Sequence, residues 1–333
     1  MSKKVSQVDL ALDIGSSKHA YAFAFDSRRK CGEVSNAPDA LRSFLNERLQ
    51  QGPVRMLVEA TGIYYLDVAL LAHELGVEVM VINPRAAHHF AQAMLQRSKT
   101  DRLDAKMLLE FLKRMTFQAW TPPRKALLAL RYYGRYLTQL TDDQTKAKNR
   151  LHAFTSTQAS PKALCADLKR TIRGLATRIA RLRTEAVALI NTDQEAKRAY
   201  QVLTSMIGVS ATSAVAILAE LMVLPRDMRS RACVSHAGLD VRLYQSGSSV
   251  AKAPRISRHG NKYLRRALFM PAMSAVRHDP HALAFKERLL ARGKKKMQVI
   301  VAVMRKMLTA AWAMVKNPCE YDGSKLYCPT IRA

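Results

Sequence analysis

Short apolar runs alternate with a stretch of helical spacing in the first quarter of the chain, and this order constrains the fold most strongly. The runs are Val8–Ile14, Tyr21–Phe25, Arg55–Ala60 and Val77–Asn83. Tyr64–Leu75, which precedes the last run, carries apolar residues at helical spacing instead. Strand-length runs in this order, with a helix between two of them, predict a mixed α/β sheet.

The remainder of the chain predicts helices. The pattern is helical from about Ala86 to Met115, and the prolines that follow close a first domain of residues 1–123. Residues 124–200 predict two long helices, arranged as an antiparallel hairpin, a dimerising coiled coil or the helical part of one globule. Residues 201–333 predict a third, mainly α-helical domain.

Two short features of the third domain predict more local structure. Ile207-Gly208-Val209 predicts a glycine turn between helices, which either presents backbone N–H groups to a phosphate or serves helix packing. Arg305 and Lys306 interrupt the apolar stretch Met297–Val315, which therefore predicts a core helix rather than a membrane span.

Positive charge is concentrated in the later part of the chain. The whole chain carries a formal net charge of +28. Residues 1–123 contain 16 Lys and Arg against 13 Asp and Glu, whereas residues 124–333 contain 38 against 13. An excess of this size predicts a polyanionic partner, and nucleic acid is the commonest one.

The cysteines and the N-terminus indicate a compartment. The 5 cysteines are scattered and form no Cys-x-x-Cys pair, which argues against a disulfide framework and a zinc site. Asp9 and Asp13 interrupt the N-terminal apolar run, so no signal peptide is predicted. We expect a cytoplasmic bacterial protein that is associated with the nucleoid when it acts and has no membrane partner.

Four acidic residues lie where a metal site would form. Asp13 and Glu59 end two predicted strands, and Asp101 and Asp104 lie three residues apart, on one face of a predicted helix. Carboxylates repel one another unless a cation lies between them, and Mg²⁺ prefers oxygen ligands that suit phosphate chemistry. A helix cap or an ion pair would explain any one of these acids; the set of four favours a Mg²⁺ site.

A second polar segment, residues 241–268, contains a candidate nucleophile. Ser246 precedes Gly247 there, and a serine hydroxyl attacks a phosphate only when another group removes its proton. Tyr244 is a competing nucleophile, and a serine-rich loop that binds phosphates without reacting is a third interpretation.

Basic residues surround this serine and predict contacts with phosphates. A stripe at helical spacing is expected within Arg255–Arg266, and Arg292–Lys296 adds a further basic patch. The predicted nucleic-acid contacts are Arg242, Lys252, Arg255, Arg258, Lys262, Arg265 and Arg266.

Taken together, these segments resemble the DEDD-type insertion-sequence transposases, relatives of the Piv DNA invertase and of the bridge-RNA-guided recombinases. In the first domain the resemblance rests on LDIG, VEATGIYY, VINPRAAHHFAQA and SKTDRLDAKML. In the last domain it rests on HAGLDVRLYQSGSSVAKAPRISRHGNKYLRRALFMPAM. The resemblance covers nearly the whole chain.

The resemblance implies a RuvC-like first domain with an RNase H fold, in which Asp13, Glu59, Asp101 and Asp104 bind Mg²⁺. It implies a C-terminal transposase domain in which Ser246 attacks DNA and forms a covalent phosphoserine link. It also implies that the protein binds target DNA, donor DNA and a non-coding guide RNA. The two sites would meet across the protomers of a dimer or tetramer joined by the coiled coil. Base pairing would then select the sequence, while the protein contacts shape and phosphates.

One turn departs from the family, and two other functions stay open. The P-G-I-G turn of the family reads Met206-Ile207-Gly208-Val209 here, without the proline. The first alternative function is a RuvC-like nuclease that cuts DNA junctions with the four acids and forms no covalent intermediate. The second is a nucleic-acid-binding scaffold without enzymatic activity.

Overall fold

The protein divides into two compact units, Met1–Pro122 and Pro123–Ala333. The segments 124–200 and 201–333, which the sequence predicts as separate domains, both lie in the second unit. The computed structural model describes residues 7–60, 62, 64–96, 98, 100–246 and 250–328, and of residues 244–246 and 250–253 it describes only the backbone.

A five-stranded mixed sheet forms the centre of the first unit, as the sequence predicts. Its strands are β1 (Val8–Asp13), β2 (Lys18–Phe25), β3 (Arg28–Ser35), β4 (Val54–Glu59) and β5 (Glu78–Ile82). They lie in the order β3-β2-β1-β4-β5; β1, β4 and β5 are parallel, and β2 is antiparallel to both of its neighbours. Side chains alternate along β1, so that Leu10 and Leu12 belong to one core and Ala11 to the other.

Helices cover both faces of this sheet: α1 (Pro38–Leu49), α2 (Tyr65–Glu74), α3 (Pro84–Ala93) and α4 (Asp101–Arg114). Leu45 of α1 and Val68 of α2 are buried in the core on one face, and Leu108 of α4 in the core on the other. α3 is the least packed, because none of its residues is fully buried; Phe90 meets Phe111 of α4 edge-on, with 5.1 Å between ring centroids. α3 therefore lies beside the sheet and contributes no fully buried side chain to its core.

Parts of the first unit differ from the sequence prediction. β3 lies at the sheet edge and most of its side chains are exposed, so it has no apolar run to identify it. α1 is likewise an element that the sequence did not predict. The helical pattern predicted from Ala86 to Met115 is divided between two helices, because the chain turns at Leu95, where φ is +56°.

The second unit is mostly helical, which confirms the predicted class. Between residues 236 and 262 it contains a two-stranded antiparallel ribbon, which the sequence did not predict. The strands of this ribbon are β6 (Val241–Ser246) and β7 (Val250–Ile256). The helices are α5 (Lys125–Thr155), α6 (Lys162–Asn191), α7 (Gln194–Ser205), α8 (Ala211–Leu221), α9 (Ser230–His236), α10 (Lys262–His278), α11 (Pro280–Ala291), α12 (Lys296–Lys316) and α13 (Gly323–Tyr327).

The two longest helices, α5 and α6, form an antiparallel hairpin. The hydroxyl of Tyr133 donates to Glu185 at 3.1 Å, and the side-chain amide of Gln144 donates to the carbonyl of Ile172 at 3.3 Å. Residues later in α5 thus contact residues earlier in α6, which shows the opposite directions of the helices. This hairpin is one of the three predicted arrangements; the dimerising coiled coil stays a prediction.

The core of the second unit is centred on α8 and α12. Every residue of α8 from Ala214 to Leu221 is buried. Trp312 of α12 is 1% exposed, and its indole N–H donates to the carbonyl of Met228 at 3.0 Å. By length and composition alone α12 could cross a membrane, but 56% of its apolar window is buried in the unit, as expected of the predicted core helix.

The turn between α7 and α8 packs against α10. Gly208 has φ +94°, and a Cβ there would lie 2.5 Å from the carbonyl oxygen of Pro271 and 2.9 Å from the nitrogen of Ala275. Only glycine fits so close to another backbone. Of the two roles predicted for this turn, the structure shows helix packing.

Candidate functional site

The first predicted acid, Asp13, ends the central strand β1 of the sheet. The loop after it is tightly held, since a Cβ on Gly15 would lie 2.3 Å from the carbonyl oxygen of Lys18. The backbone N–H of Gly15 donates to Nδ1 of the buried His19 at 3.3 Å, and Nε2 of the same ring lies 3.0 Å from Oδ1 of Asn36. Burial lowers the pKa of His19, so its imidazole stays neutral and accepts this bond.

The second acid, Glu59, ends β4 at the same edge of the sheet. β1 and β4 are parallel, and Leu12 lies opposite Val58. The next residues of the two strands, Asp13 and Glu59, therefore lie side by side. The N–H of Ala60 donates to the carbonyl of Ile82 at 2.9 Å, which keeps the chain paired with β5 beyond the acid. The sheet thus places both carboxylates at neighbouring strand ends.

The last two acids begin α4. The side chain of Thr100 caps this helix by accepting from the N–H of Leu103 at 3.3 Å, and Asp101 and Asp104 follow in the first turn. A helix N-terminus favours negative charge, so the local structure tolerates the pair. Leu108, one turn further on, is buried against the sheet and fixes which side of α4 faces the strand ends.

All four predicted acids line one groove of about 500 Å³. α3 and α4 form its walls. Its lining residues are Asp13, Glu59, Pro84, Ala87, His88, Phe90, Ala91, Gln92, Gln96, Ser98, Asp101, Asp104, Met107, Leu108 and Phe111. Among the residues that the structure describes, no three His, Cys, Asp or Glu side chains already form a group that could hold a metal ion. The carboxylates therefore share a groove without forming a finished coordination shell.

A smaller pocket of about 80 Å³ adjoins this groove and shares Asp13 and Asp101 with it. Lys18 and Glu33 line its other side, with 2.6 Å between Nζ and Oε2. The hydrogen bond from Lys18 lowers the pKa of Glu33, which keeps that carboxylate charged. A cation and a further anion thus lie beside two of the predicted metal ligands.

The sequence prediction missed the polar side chains that α3 and its following segment add to the groove. His88 is exposed and lines the groove. Gln92 and Gln96 line it as well. One feature could have indicated these residues: they follow β5, which is parallel to the strand that ends in Glu59, so they begin at the same end of the sheet as the acids.

The predicted nucleophile lies on the ribbon of the second unit. Ser246 is the last residue of β6, and its backbone pairs with Val250 of β7. The side chains of Ser246, Tyr244 and Lys252 lie outside the described part of the chain. The structure thus locates the backbone of the serine and leaves the choice between Ser246 and Tyr244 as a prediction.

Only part of the predicted helical stripe of basic residues lies on a helix: Lys262, Arg265 and Arg266 are in α10. α10 begins at Lys262, so Arg258 lies before the helix, with φ +54°. Arg265 donates to a backbone carbonyl at 2.7 Å, and burial, reinforced by the charge of Arg258, lowers its pKa. Arg266 donates to Asp142 of α5 at 2.8 Å. Arg265 and Arg266 therefore make contacts within the protein that stabilise its fold.

Other predicted basic residues face solvent. Arg242 and Arg255 are exposed and lie directly opposite each other across the ribbon. Like charges at opposed strand positions destabilise the pair, so an anion between them would stabilise it. Arg258 and Lys262 are exposed as well. We call these four residues the ribbon surface.

A buried carboxylate fixes the base of the ribbon. Glu220 of α8 is 1% exposed and accepts hydrogen bonds from Arg135 at 2.6 Å, Arg131 at 3.1 Å and the side-chain amide of Asn261 at 2.7 Å. Asn261 also caps α10, because its Oδ1 accepts from the N–H of Tyr263 at 3.0 Å. The segment from β7 to α10 is thus tied to α5 and α8.

Family models match most of the chain. The DEDD_Tnp_IS110 transposase model matches residues 10–157, which contain the acid groove. The model of the transposase IS116/IS110/IS902 family matches residues 200–287, which contain the ribbon.

Known proteins are similar over long stretches. The pilin gene-inverting proteins of Moraxella bovis and Moraxella lacunata are each 28% identical to this chain, over 274 and 278 residues. Each alignment covers 81% of this chain and 82% of the relative. A 43.6 kDa protein of insertion element IS110 from Streptomyces coelicolor is 30% identical over 136 residues, which are 41% of this chain and 33% of the relative. The chain therefore belongs to the IS110 family of transposases and is an enzyme of DNA recombination.

Proposed function

We propose that this transposase cuts and rejoins DNA with two groups of residues: the four acids, which bind Mg²⁺, and Ser246, which forms a covalent link to DNA. The observation that carries the proposal is the single groove lined by Asp13, Glu59, Asp101 and Asp104. Unrelated surface acids would not converge from two strand ends and one helix.

The first unit would be a RuvC-like domain with an RNase H fold. Its strand order, with three antiparallel strands followed by two parallel ones, supports this proposal, as does the position of Asp13 on the central strand. Hard carboxylate oxygens fit Mg²⁺, and the space left in the groove suits the waters and phosphate oxygens that complete its shell. When bound, Mg²⁺ would offset negative charge at the reacting phosphate.

The covalent step would take place at Ser246. Its Oγ forms a bond to phosphorus, the bond from phosphorus to one deoxyribose oxygen breaks, and the released strand end takes up a proton. A hydroxyl of the recipient strand then attacks the phosphoserine and frees the serine, which regains a proton. The exposed arginines of the ribbon surface support this role, because they would bind the phosphate and offset its developing charge.

A substitution series tests the nucleophile. Ser246→Ala is expected to abolish the protein–DNA adduct on a denaturing gel, whereas Ser248→Ala and Tyr244→Phe keep it. An adduct that survives Ser246→Ala and disappears with Tyr244→Phe would transfer the role to Tyr244. Cleaved ends with no adduct in any variant would favour the junction nuclease.

A second series tests the acids. Asp13→Asn and Glu59→Gln are each expected to lower strand cleavage by about a hundredfold or more, because each removes a ligand that offsets charge in the transition state. Asp67→Asn is the matched control, since this exposed carboxylate lies in the first turn of α2 and does not line the groove. Cleavage that is unchanged in both acid variants would point to a scaffold.

The partners we propose are target DNA, donor DNA and a non-coding guide RNA. The net charge of +28 supports binding of polyanions, and the relatives named as pilin gene-inverting proteins support action on DNA. RNA should copurify with the protein from cells that carry the whole element, and ribonuclease should abolish cleavage at the specific site. Site-specific cleavage by RNA-free protein would refute the guide.

We also propose that the chain acts as a dimer or tetramer joined through the far end of the α5–α6 hairpin. The last buried residue of α5 is Ala147 and the first buried residue of α6 is Ala186, so none of the described residues between them is buried. Leu164 there is 49% exposed and Phe154 is 36% exposed. Leu164→Glu should break the oligomer and therefore lower the sedimentation coefficient. A molecular mass that remains that of the oligomer would contradict this contact.

A further inference from the structure

The end of α3 places a leucine where helices normally place glycine. The N–H of Leu95 donates to the carbonyl of Gln92 at 3.0 Å, and the N–H of Gln96 donates to that of Ala91 at 3.1 Å. This pair of bonds is the Schellman motif, which requires a left-handed residue at its centre. Leu95 takes that conformation with φ +56°, although glycine adopts it without strain.

The side chain of Leu95 also gains nothing from packing within the protein. It is 83% exposed, more than any other large hydrophobic side chain in the described part of the chain, and its neighbour Met94 is 36% exposed. A single exposed leucine is ordinary on a protein surface. A leucine that is both strained and exposed is not, because its left-handed backbone costs free energy that the exposed side chain does not recover by packing.

This apolar tip lies at the rim of the acid groove. Gln96, which follows Leu95 directly, lines the groove together with the four acids, and so does Ser98. The groove holds about 500 Å³, a volume typical of sites for small molecules, so its interior has room for a nucleotide or two rather than a duplex. A strand that enters the groove, rather than lying across its mouth, must therefore be locally opened.

We propose that Leu95, together with Met94, is a wedge that inserts between stacked bases beside the phosphate held in the acid groove. The inference rests on the proposed role of the groove and adds the step that brings a single strand into it. Apolar side chains that enter a base step unstack it and kink the duplex, and leucine and methionine are among those used. Inserting Leu95 removes its exposed surface from water, which offsets part of the unstacking cost.

Permanganate reactivity of unstacked thymines tests the wedge. The full-length protein is purified from cells that carry the whole element, so that bound RNA is retained, and is mixed with a duplex that spans the element's own end. Ca²⁺ replaces Mg²⁺ to hold the complex before cleavage. The wild type should make thymines beside the cut site reactive, and Leu95→Ala and Leu95→Gly should lower that reactivity by about tenfold.

The variants are chosen to separate a wedge from a folding defect. Leu95→Gly should melt at or above the temperature of the wild type, because glycine relieves the left-handed strain. Leu95→Met keeps an apolar side chain and should keep the thymine reactivity. Met115→Ala is the matched control: Met115 is 48% exposed in the same unit but does not line the groove, and its loss should change nothing.

Rescue by opened DNA is the decisive measurement. A duplex with two mismatched base pairs beside the cut site, assayed with Mg²⁺, should restore cleavage by Leu95→Ala to nearly the wild-type rate. Equal defects on matched and mismatched DNA would overturn the wedge. A Leu95→Ala protein that no longer oligomerises but still opens DNA would also overturn the wedge, because the apolar tip would then be a contact between protein chains.

The failure of the wedge and that of the proposed function give different results. A wild type that cleaves without any reactive thymines refutes the wedge and leaves the roles of the acids intact. Reactive thymines that depend on Leu95, combined with cleavage that survives Asp13→Asn and Glu59→Gln, support the wedge and refute the proposed metal site.

Discussion

Replacing Glu220 by alanine would remove the acceptor for three donor side chains that meet inside the second unit. The carboxylate is 2% exposed in its side chain, whereas the arginines Arg131 and Arg135 that bind it are 25% and 28% exposed. Breaking a buried ion pair by removing one partner costs about 3–5 kcal/mol. Because both arginines reach water and would be partly solvated, we expect the lower end, about 3 kcal/mol.

This loss is measurable as a shift in melting temperature. For a unit of this size, 1 kcal/mol corresponds to about 2–4 °C, so Glu220→Ala should lower the transition of the helical unit by about 6–12 °C. Circular dichroism in the far ultraviolet follows this transition. Asp167→Ala is the control, because its ion pair with Arg170 is exposed on both sides and should not shift the transition measurably. A shift below about 2 °C for Glu220→Ala would refute the reasoning.

The same network predicts a dependence on pH. Burial raises the pKa of Glu220, but the hydrogen bond from Arg135 and the charges of Arg131 and Arg135 outweigh it, and the pKa lies below its ordinary value of 4.5. The unfolded chain therefore binds the proton more readily. The stabilisation is present above pH 4.5 and lost as the pH falls below it. The difference in melting temperature between the wild type and Glu220→Gln should shrink in that range.

Three further changes have expected outcomes. Burial lowers the pKa of His19 below its ordinary 6.5, so its neutral form is favoured in the fold; the melting temperature should fall as the pH drops below 6.5, and His19→Phe should weaken that dependence. Gly208→Ala should lower the melting temperature of the helical unit, because the new Cβ would lie 2.5 Å from the carbonyl oxygen of Pro271. In a titration of DNA affinity against salt, replacing the exposed Lys294 and Lys296 by glutamine should lower the slope by about 2; an unchanged slope would exclude them from phosphate contacts.

The sequence could predict that the acids lie close together, because the ends of paired parallel strands lie next to each other. Asp13 and Glu59 both close apolar runs, and parallel pairing of those runs brings their ends to one edge of the sheet. Asp101 and Asp104 share a helix face by their spacing alone. Sequence spacing does not predict which helix forms the opposite wall, and so His88 and Gln92 were missed.

Other elements could not be predicted, because tertiary contacts decide them. The helical pattern continues through Leu95, where no glycine or proline marks a break, and only the backbone shows that α3 ends there. None of the ribbon side chains that the structure describes is buried, so the register of β6 and β7 depends on backbone hydrogen bonds that composition does not reveal. Glu220 lies in an Ala- and Leu-rich helix, and its partners Arg135 and Asn261 are remote in sequence.

The leucine at the end of α3 has a consequence for engineering. Procedures that stabilise proteins replace left-handed residues at helix ends by glycine, and such changes commonly raise stability at the expense of function. If Leu95 is the proposed wedge, selection for heat resistance or expression yield would favour Leu95→Gly and deliver a more stable protein that opens DNA less well. Residue 95 should therefore be held constant in any library that is built to make this transposase a laboratory tool.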